Sequence, residues 1–269
     1  MQTARLQDGT EVYCITRPEA RALDSHIDGY FQHGISVQSG DVVLDIGANI
    51  GLFGVRTAQR TKTRAKVFAF EPVPPIFDVL DANARRHGGG SVIPVRKGVA
   101  SKPGSITISY YPRSPGLSTA HPEIWGAGTD RLARAVHGGA RNMPDGMRWG
   151  RFLPASVSRL IAGYLRGRVE RVTCDTVTVS DFVKERGLDR IDLLKVDVEG
   201  AELDVLLGVD AGDWPKVRQV VAEVHDIDGR VDRVCELLRT HGLTRVTVEA
   251  EKGFEQTELR NVYASRESA

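Results

Sequence analysis

The sequence has 269 residues, 41% of them hydrophobic and 26% charged, with a formal net charge of +1. This composition is ordinary for a globular protein, predicts one large domain or one domain with an insertion, and by itself indicates no charged partner. Three widely spaced cysteines (Cys14, Cys174 and Cys235) without a C-x-x-C pair argue against a disulfide framework or a zinc site, and the lack of a signal-peptide or membrane-spanning apolar run predicts a cytoplasmic protein.

Residues 1–40 are predicted to form a hairpin followed by a helix. An Asp-Gly turn pair within residues 1–17 favours the hairpin. Pro18 suits a first helical turn, and apolar residues at helical spacing predict a helix over residues 18–37. Because this helix leads directly into the next strand, Tyr30 either reaches a ligand bound there or packs as a core tyrosine.

The most informative stretch is VVLDIGANIG at residues 42–51. Its apolar, β-branched half predicts a strand buried on both faces, and its glycines predict a turn into a helix. Such a strand, turn and helix form the first unit of a doubly wound α/β sheet, which binds ligands at the carboxyl ends of its strands. Gly47 and Gly51 are expected to let the backbone approach a ligand closely, because glycine has no Cβ.

The spacing of these glycines, together with two acids, favours S-adenosylmethionine (SAM) as the ligand. The pattern G-x-x-x-G differs from the G-x-G-x-x-G of dinucleotide sites. Asp45 ends the first strand where the SAM ammonium would lie, and Tyr30 is placed near the SAM carboxylate. Glu71 follows the next predicted strand, residues 66–70, and lies twenty positions after Gly51, the distance expected for an acid that binds ribose hydroxyls. A tight turn flanked by two exposed acids is the alternative interpretation.

Several segments precede a long irregular stretch. A helix is predicted over residues 72–90, and the strand over residues 91–95 is predicted to lie at a sheet edge because its proline removes a ladder donor. Backbone groups around Val99 are expected to contact an adenine edge. An additional strand is expected over residues 105–111, where polar and apolar residues alternate.

Residues 112–168 break the pattern and predict an insertion. They contain five prolines and many glycines, and their hydrophobic residues show no regular spacing until about Ala155. Nine arginines and two acids lie between Arg131 and Arg171. Two interpretations remain open: a solvated, mobile insertion, or a lid over the substrate that also meets an anionic group.

The rest of the chain again alternates between strands and helices. Strands are expected within residues 169–182, at 190–196 and at 217–224, each followed by a helix. The last two strands, about 243–249 and 259–265, lie too close together for a helical crossover and should be antiparallel. A mostly parallel seven-stranded sheet with a C-terminal antiparallel hairpin is the Rossmann-like α/β fold of class I SAM-dependent methyltransferases.

Four motifs in this order resemble those of the FkbM family of methyltransferases. They are residues 45–51 (DIGANIG), 70–72 (FEP), 195–202 (KVDVEGAE) and 223–225 (EVH). The segment 110–119 resembles members that act in polyketide and nonribosomal peptide pathways. The resemblance implies a SAM-dependent O-methyltransferase of small molecules, with the motif residues Asn49, Pro72 and Asp197 at the cofactor, and it does not fix the substrate.

Methyl transfer to a hydroxyl is an in-line displacement, so an enzyme must align oxygen, carbon and sulfur, and it benefits from a positioned base. Four base candidates follow neighbouring strand ends: Asp197, Glu199, Glu223 and His225. Histidine side chains ordinarily titrate near neutral pH, so His225 is the preferred base, and Glu223 would orient it or hold the substrate. A purely structural role for His225 is the alternative. These side chains would also suit Mg²⁺, but D-x-E and E-x-H spacings are not diagnostic, and no metal is predicted.

Other side chains have two open interpretations each. Ser118 and Thr119 either contact SAM or the substrate through their hydroxyls or stabilise a turn. Trp125 and Trp149 either line an apolar pocket or pack within the insertion. Lys195 is expected to be a structural charge near its strand end.

The leading hypothesis is an O-methyltransferase of a small-molecule natural product, free or presented by an acyl or peptidyl carrier protein whose acidic face meets the arginines. The alternative is an RNA methyltransferase using the Arg-rich insertion, but the basic residues are confined to one insertion and aromatic content is 6%. A nicotinamide-dependent dehydrogenase and a non-catalytic SAM-binding protein fit less well, and no nucleic-acid or membrane partner is expected. In this scheme residues 1–40 cover the cofactor site, and residues 41–269 form the SAM-binding domain with an insertion at about 112–168.

Overall fold

Seven strands form the central sheet in a computed structural model that describes residues 1–125, 132–134, 136–137, 154–250 and 257–267. Labelled in chain order and listed across the sheet, they are β11 (Arg245–Ala250), β12 (Leu259–Ser265), β10 (Gln219–His225), β9 (Leu193–Val196), β3 (Val42–Ile46), β4 (Lys66–Phe70) and β5 (Val92–Val95). β12 is antiparallel to both its neighbours, and the other pairs are parallel. The predicted seven-stranded sheet with its antiparallel hairpin is confirmed, and β5 lies at an edge, as Pro94 predicted.

Both faces of the sheet are covered, which explains the near-continuous apolar runs in its central strands. Along β3, Val43 packs on one face in a cluster with Phe53, and Leu44 packs on the other in a cluster with Phe182. Successive side chains of a strand point to opposite faces, so a strand between two layers needs apolar residues at every position.

α-Helices cover both faces of this sheet, and the helix Ala155–Arg166 packs through Ala162 in a separate small apolar cluster. The helices are α1 (Arg17–His26), α2 (Leu52–Arg60), α3 (Pro74–His87), α4 (Ala155–Arg166), α5 (Val179–Arg186), α6 (Glu202–Leu207) and α7 (Arg230–Thr240). The prediction of one helix over residues 18–37 was too long, because α1 ends at His26 and a 3₁₀ turn follows at Ile27–Phe31. His33 and Gly34 then adopt φ values of 50° and 85°, which a right-handed helix does not allow. Within the described ranges, no helix is both long and apolar enough to cross a bilayer.

Two smaller sheets complete the described architecture. β1 (Gln2–Arg5) and β2 (Glu11–Cys14) form the predicted hairpin, and β6 (Gly98–Val99), β7 (Gly104–Tyr110) and β8 (Glu170–Val177) form a three-stranded sheet in the order β6-β8-β7. The additional strand predicted over residues 105–111 therefore exists as β7, and it pairs with β8 and not with the central sheet. The division of the chain at residue 40 remains a prediction.

Candidate active site

A cleft opens at the carboxyl ends of β3, β4 and β9, where such a sheet binds its ligand. Its lining combines apolar side chains with a few polar groups, as the lining of small-molecule sites does. Seven residues predicted to bind the cofactor line it: Gly47, Asn49, Glu71, Pro72, Val99, Ser118 and Asp197. Three others, Tyr30, Asp45 and Gly51, do not line it, and each has a different reason.

The two glycines after β3 have different structural roles. Gly47 lines the cleft with a φ of 78°, and a Cβ there would lie 1.7 Å from the backbone oxygen of Asp197. Only glycine therefore lets this loop pass so close to the end of β9. Gly51 has a φ of 84° at the start of α2, and a Cβ there would lie 2.4 Å from Cδ1 of Leu80. The missing side chain of Gly51 lets α2 pack against α3, and the expectation that Gly51 approaches a ligand stays a prediction.

Asp45 lies beneath the cleft. Its side chain is fully buried, and Nζ of Lys195 lies 3.1 Å from its Oδ1. Lys195 also lies 3.3 Å from Oδ2 of Asp197 and donates to the backbone oxygen of Gly47 at 2.9 Å. Burial raises the pKa of Asp45, and Lys195 opposes that rise. Asp45 does not line the cleft and has Lys195 as a cationic partner, so its predicted contact with an ammonium stays a prediction.

The ion pair also sets the protonation of Lys195. Burial alone would lower the pKa of this ammonium, but the carboxylates of Asp45 and Asp197 raise it well above its usual value. Lys195 therefore carries a fixed positive charge below the cleft. This agrees with the expectation that it is a structural charge.

Glu71 lines the cleft directly after β4, at the place predicted for an acid that binds ribose. The residue is 6% exposed, and its carboxylate accepts the backbone N–H of Val73 at 2.9 Å. Burial raises the pKa of Glu71 to about 8, and the backbone N–H groups of Val73 and Asn49 offset only part of that rise. A ligand that donates O–H groups to this buried carboxyl would favour its ionised form and so offset the cost of burial.

Tyr30 joins two of the predicted catalytic acids. Its hydroxyl oxygen lies 2.9 Å from Oδ2 of Asp197 and 3.4 Å from Oε2 of Glu223. Its ring is buried and packs edge-on against Phe53, with 5.7 Å between the centroids. Tyr30 is thus a core residue that lies one hydrogen bond away from the cleft, because Asp197 lines it.

His225 and Glu199 form a second group at the same end of the sheet. Nε2 of His225 lies 3.4 Å from Oε2 of Glu199, and its Nδ1 lies 3.9 Å from Oε1 of Glu202. Glu202 is fully buried and accepts the backbone N–H of Gly200 at 2.5 Å. Glu199 lines the cleft, whereas His225 lies behind it at 8% exposure, with the ring of Trp125 edge-on to the imidazole.

The four predicted catalytic side chains therefore fall into two pairs, Asp197 with Glu223 and Glu199 with His225. Among the described residues, no group of three or more His, Cys, Asp or Glu side chains is arranged to hold a metal ion.

The segment after β7 forms one wall of the cleft. Ser118 and Thr119 both line it. Oγ of Ser118 accepts the backbone N–H of Tyr111 at 3.2 Å, which is a turn role. Thr119 donates to the backbone oxygen of Glu199 at 2.5 Å and so fixes a residue whose φ of 53° is unusual without glycine.

Part of the predicted insertion packs on this wall. Ile124, Trp125, Leu132 and Ala162 are buried together in a small apolar cluster. Trp149 and four of the nine arginines lie outside the described residues, and the prediction of a lid over about residues 120–168 stays a prediction.

Two acids near the cleft were not singled out from the sequence. Glu202 is the last residue of the motif KVDVEGAE, and that motif is the signal that would have found it. Glu19, in the first turn of α1, accepts the backbone N–H of the cleft-lining Gly116. Glu19 follows the helix N-cap Thr16 by three positions, a spacing typical of helix starts, but nothing local predicts its contact with Gly116, which lies 97 positions away in sequence.

Comparison with known proteins agrees with this arrangement. A family profile described as "Methyltransferase FkbM domain" matches residues 45–243. The chain belongs to the FkbM methyltransferase family. The motif at residues 45–51 that opens the cleft begins at the first matched position.

Individual relatives support the same assignment. The chain is 37% identical over 269 residues to 31-O-demethyl-FK506 methyltransferase FkbM of Streptomyces tacrolimicus, covering 99% of this chain and 97% of that protein. It is 36% identical over 248 residues to AMB antimetabolite synthetase AmbE of Pseudomonas aeruginosa, covering 88% of this chain but 11% of that protein. The crystal structure of Methyltransferase FkbM from Methylobacillus flagellatus KT aligns with a TM-score of 0.51 and 13% identity, over 87% of this chain and 46% of that one, which supports the fold alone. The chain is therefore a methyltransferase, and these relatives give no support to the RNA-methyltransferase alternative.

Proposed function

We propose that this FkbM-family methyltransferase uses SAM to methylate a hydroxyl of a small-molecule natural product. The observation that carries the proposal is that one cleft is bordered both by Glu71, to which we assign the ribose, and by Glu199, which contacts His225. When bound, SAM supplies a methyl group on a positively charged sulfur. The cleft residues then have to hold the nucleoside, orient the acceptor and remove a proton.

The residues of the cleft fit a nucleoside cofactor. Phe70, Val99 and Ile106 form an apolar wall that suits a flat base such as adenine. Glu71, beside this wall, would accept hydrogen bonds from two ribose hydroxyls once it is ionised, which would offset the penalty of its burial. The loop of Gly47 and Asn49 would lie along the remainder of the cofactor, because both residues line the same cleft.

The proton of the acceptor hydroxyl would pass to the Glu199–His225 pair. Glu199 faces the cleft and is held by Thr119, so its position is fixed before an acceptor arrives. Glu202, behind His225, would stabilise the imidazolium that forms when the pair takes up a proton. A positioned base of this kind contributes about 10²–10⁴-fold to the rate.

Asp197 and Glu223 would have a different role. Asp197 is held by Lys195 and by the hydroxyl of Tyr30, and Glu223 lies on the other side of that hydroxyl. One carboxylate oxygen of Asp197, Oδ2, is thus engaged by both Lys195 and Tyr30 within the protein. We therefore assign this pair to shaping the cleft and to contacts with the cofactor or acceptor.

The names of the relatives support the class of acceptor. The Streptomyces protein is named for 31-O-demethyl-FK506, and AmbE is named as an antimetabolite synthetase. We infer an acceptor hydroxyl on a natural product, either free or presented by an acyl or peptidyl carrier protein.

Methyl-labelled SAM provides the test. The protein is incubated with hydroxylated natural-product precursors, free and loaded on carrier proteins, and with RNA as a separate arm, and the products are analysed by mass spectrometry. We expect a gain of one methyl on oxygen in a small molecule, with S-adenosylhomocysteine (SAH) as the co-product. Label on nitrogen or carbon, or label in RNA alone, would contradict the proposal.

A further inference from the structure

Glu19 is a carboxylate directly behind the cleft wall, in contact with the lining residue Gly116, and no step of the proposed reaction uses it. It lies one helical turn before Leu23, which lines the cleft. Its Oε1 accepts the backbone N–H of Gly116, another lining residue, at 2.5 Å. A Cβ on Gly116 would lie 3.0 Å from Oε1 of Glu19 and 3.7 Å from Nδ2 of Asn49, so the carboxylate lies beside the loop that follows β3.

No basic side chain among the described residues forms an ion pair with Glu19. Its second oxygen accepts the hydroxyl of Thr16 at 3.2 Å. Arg17 and Arg21, its neighbours on α1, donate instead to two backbone oxygens of β1, at 2.9 and 3.4 Å. Burial raises the pKa of Glu19 to about 7, so its surroundings disfavour the negative charge. A cation beside the carboxylate would remove this penalty.

The other acids around the cleft already have basic partners or are assigned to the nucleoside. Asp45 and Asp197 share the ammonium of Lys195, and Glu199 contacts His225. The acid that follows β4 accepts two backbone N–H groups and faces the apolar wall where the nucleoside is placed. Glu19, behind this wall, accepts only the neutral donors of Gly116 and Thr16 among the described residues, so it is the carboxylate that we assign to a cation.

We propose that Glu19 binds the α-ammonium group of the methionine moiety of SAM. The inference rests on the proposed use of SAM and adds to it a residue outside the matched family region, which begins at residue 45. The ammonium would donate a charge-assisted hydrogen bond to Glu19 and supply the missing counter-charge. Helix α1 would then be part of the cofactor site and more than a cover over it.

Two nucleosides isolate this contact. SAH and 5′-methylthioadenosine share adenine and ribose, but 5′-methylthioadenosine lacks the amino-acid end. Isothermal titration calorimetry at about pH 8.5, above the pKa of about 7 for Glu19, would compare wild type with Glu19→Gln and Glu71→Gln. The Glu19→Gln variant keeps an oxygen for the N–H of Gly116 and removes only the charge. Circular dichroism verifies that each variant is folded.

We expect Glu19→Gln to weaken SAH binding about 10- to 100-fold, the range for one hydrogen bond to a charged group. Its affinity for 5′-methylthioadenosine should stay within about twofold of wild type, since that ligand has no ammonium. Glu71→Gln, the matched control, should weaken both ligands because both contain ribose.

Two results would overturn the assignment of Glu19: an unchanged SAH affinity in folded Glu19→Gln, or an equal loss for both ligands. If the wild-type protein binds neither nucleoside, the proposed use of SAM is itself refuted, and the inference fails with it. The three patterns differ, so the failure of the Glu19 contact is distinguishable from the failure of the proposed function.

Discussion

Replacing Lys195 with methionine should destabilise this protein far more than replacing an exposed lysine. Lys195 is 3% exposed, and its ammonium is the cationic partner that the structure gives to the fully buried carboxylate of Asp45, 3.1 Å away. Removing one partner of a buried ion pair leaves an uncompensated charge and typically costs about 3–5 kcal/mol of unfolding free energy. This cost is a large part of the unfolding free energy of an ordinary fold, which is about 5–15 kcal/mol.

The loss should depend on pH in a direction that follows from Asp45. Burial raises the pKa of this carboxyl, and Lys195 opposes the rise, so Lys195→Met should raise the pKa further. An acid whose folded pKa lies above its unfolded value of about 3.9 loses stability as the pH rises from that value towards the folded one. Urea unfolding followed by circular dichroism should therefore show a larger deficit for the variant at about pH 8 than at about pH 5.

Two further variants decide whether the ion pair is the cause. Lys184→Met, on the exposed face of α5, should change the unfolding free energy by no more than about 0.5 kcal/mol. The double variant Asp45→Asn with Lys195→Met removes both charges and should recover at least half of the loss, because a neutral pair leaves no buried charge. The reasoning is wrong if Lys195→Met equals Lys184→Met in stability, or if the double variant is no more stable than the single one.

Two more predictions concern the base and the glycine loop. His225→Ala should retain the SAH affinity of wild type in calorimetry and lose about 10²–10⁴-fold in turnover, whereas an unchanged turnover would remove His225 from the proposed base. Gly47→Ala should lower the urea midpoint much more than Gly187→Ala, because both glycines have positive φ (78° and 60°) but only the Gly47 position has backbone atoms within 4 Å of a new Cβ. The Gly187 variant reports left-handed strain alone, about 1–2 kcal/mol, so equal losses would show that the close approach of Asp197 to Gly47 is not what requires glycine.

Much of the fold was readable from the sequence because its signals are local. The apolar run of β3, the glycine turn after it and the short gap between the last two strands each predict one element without reference to the rest of the chain. The proline at position 94 correctly predicted that β5 lies at an edge, since proline has no N–H to donate to a neighbouring strand. The error over residues 18–37 has a local cause too: apolar spacing continues past His26, but the chain turns there into a 3₁₀ helix and then into positive φ.

The site was less readable because it depends on register between strands. Asp45 is a direct register partner of Lys195 across β3 and β9, which turns an apparent strand-end acid into half of a buried ion pair. Nothing within either motif specifies that alignment, since the two strands are separated by about 150 residues of sequence. Gly51 is similar: its neighbour Leu80 lies on α3, and only the packing of two helices shows what the missing side chain is for.

The arrangement of charges around the cleft has a chemical consequence. A base that receives the proton of an alcohol loses strength when a fixed cation lies beside it, because the cation repels the positive charge of the incoming proton. Lys195 is held by Asp45 and Asp197 beneath the cleft, and Glu199 and His225 contact each other instead. If Glu19 holds the SAM ammonium, this second cation is bound by α1, whereas Glu199 follows the central strand β9 and His225 ends β10. Arg230, which donates to the backbone oxygen of His225 at 3.3 Å, lies 3.9 Å from Oε2 of Glu202. Lys195, Arg230 and the SAM ammonium would then each have a carboxylate partner other than Glu199, so the Glu199–His225 pair could take up the proton of the acceptor.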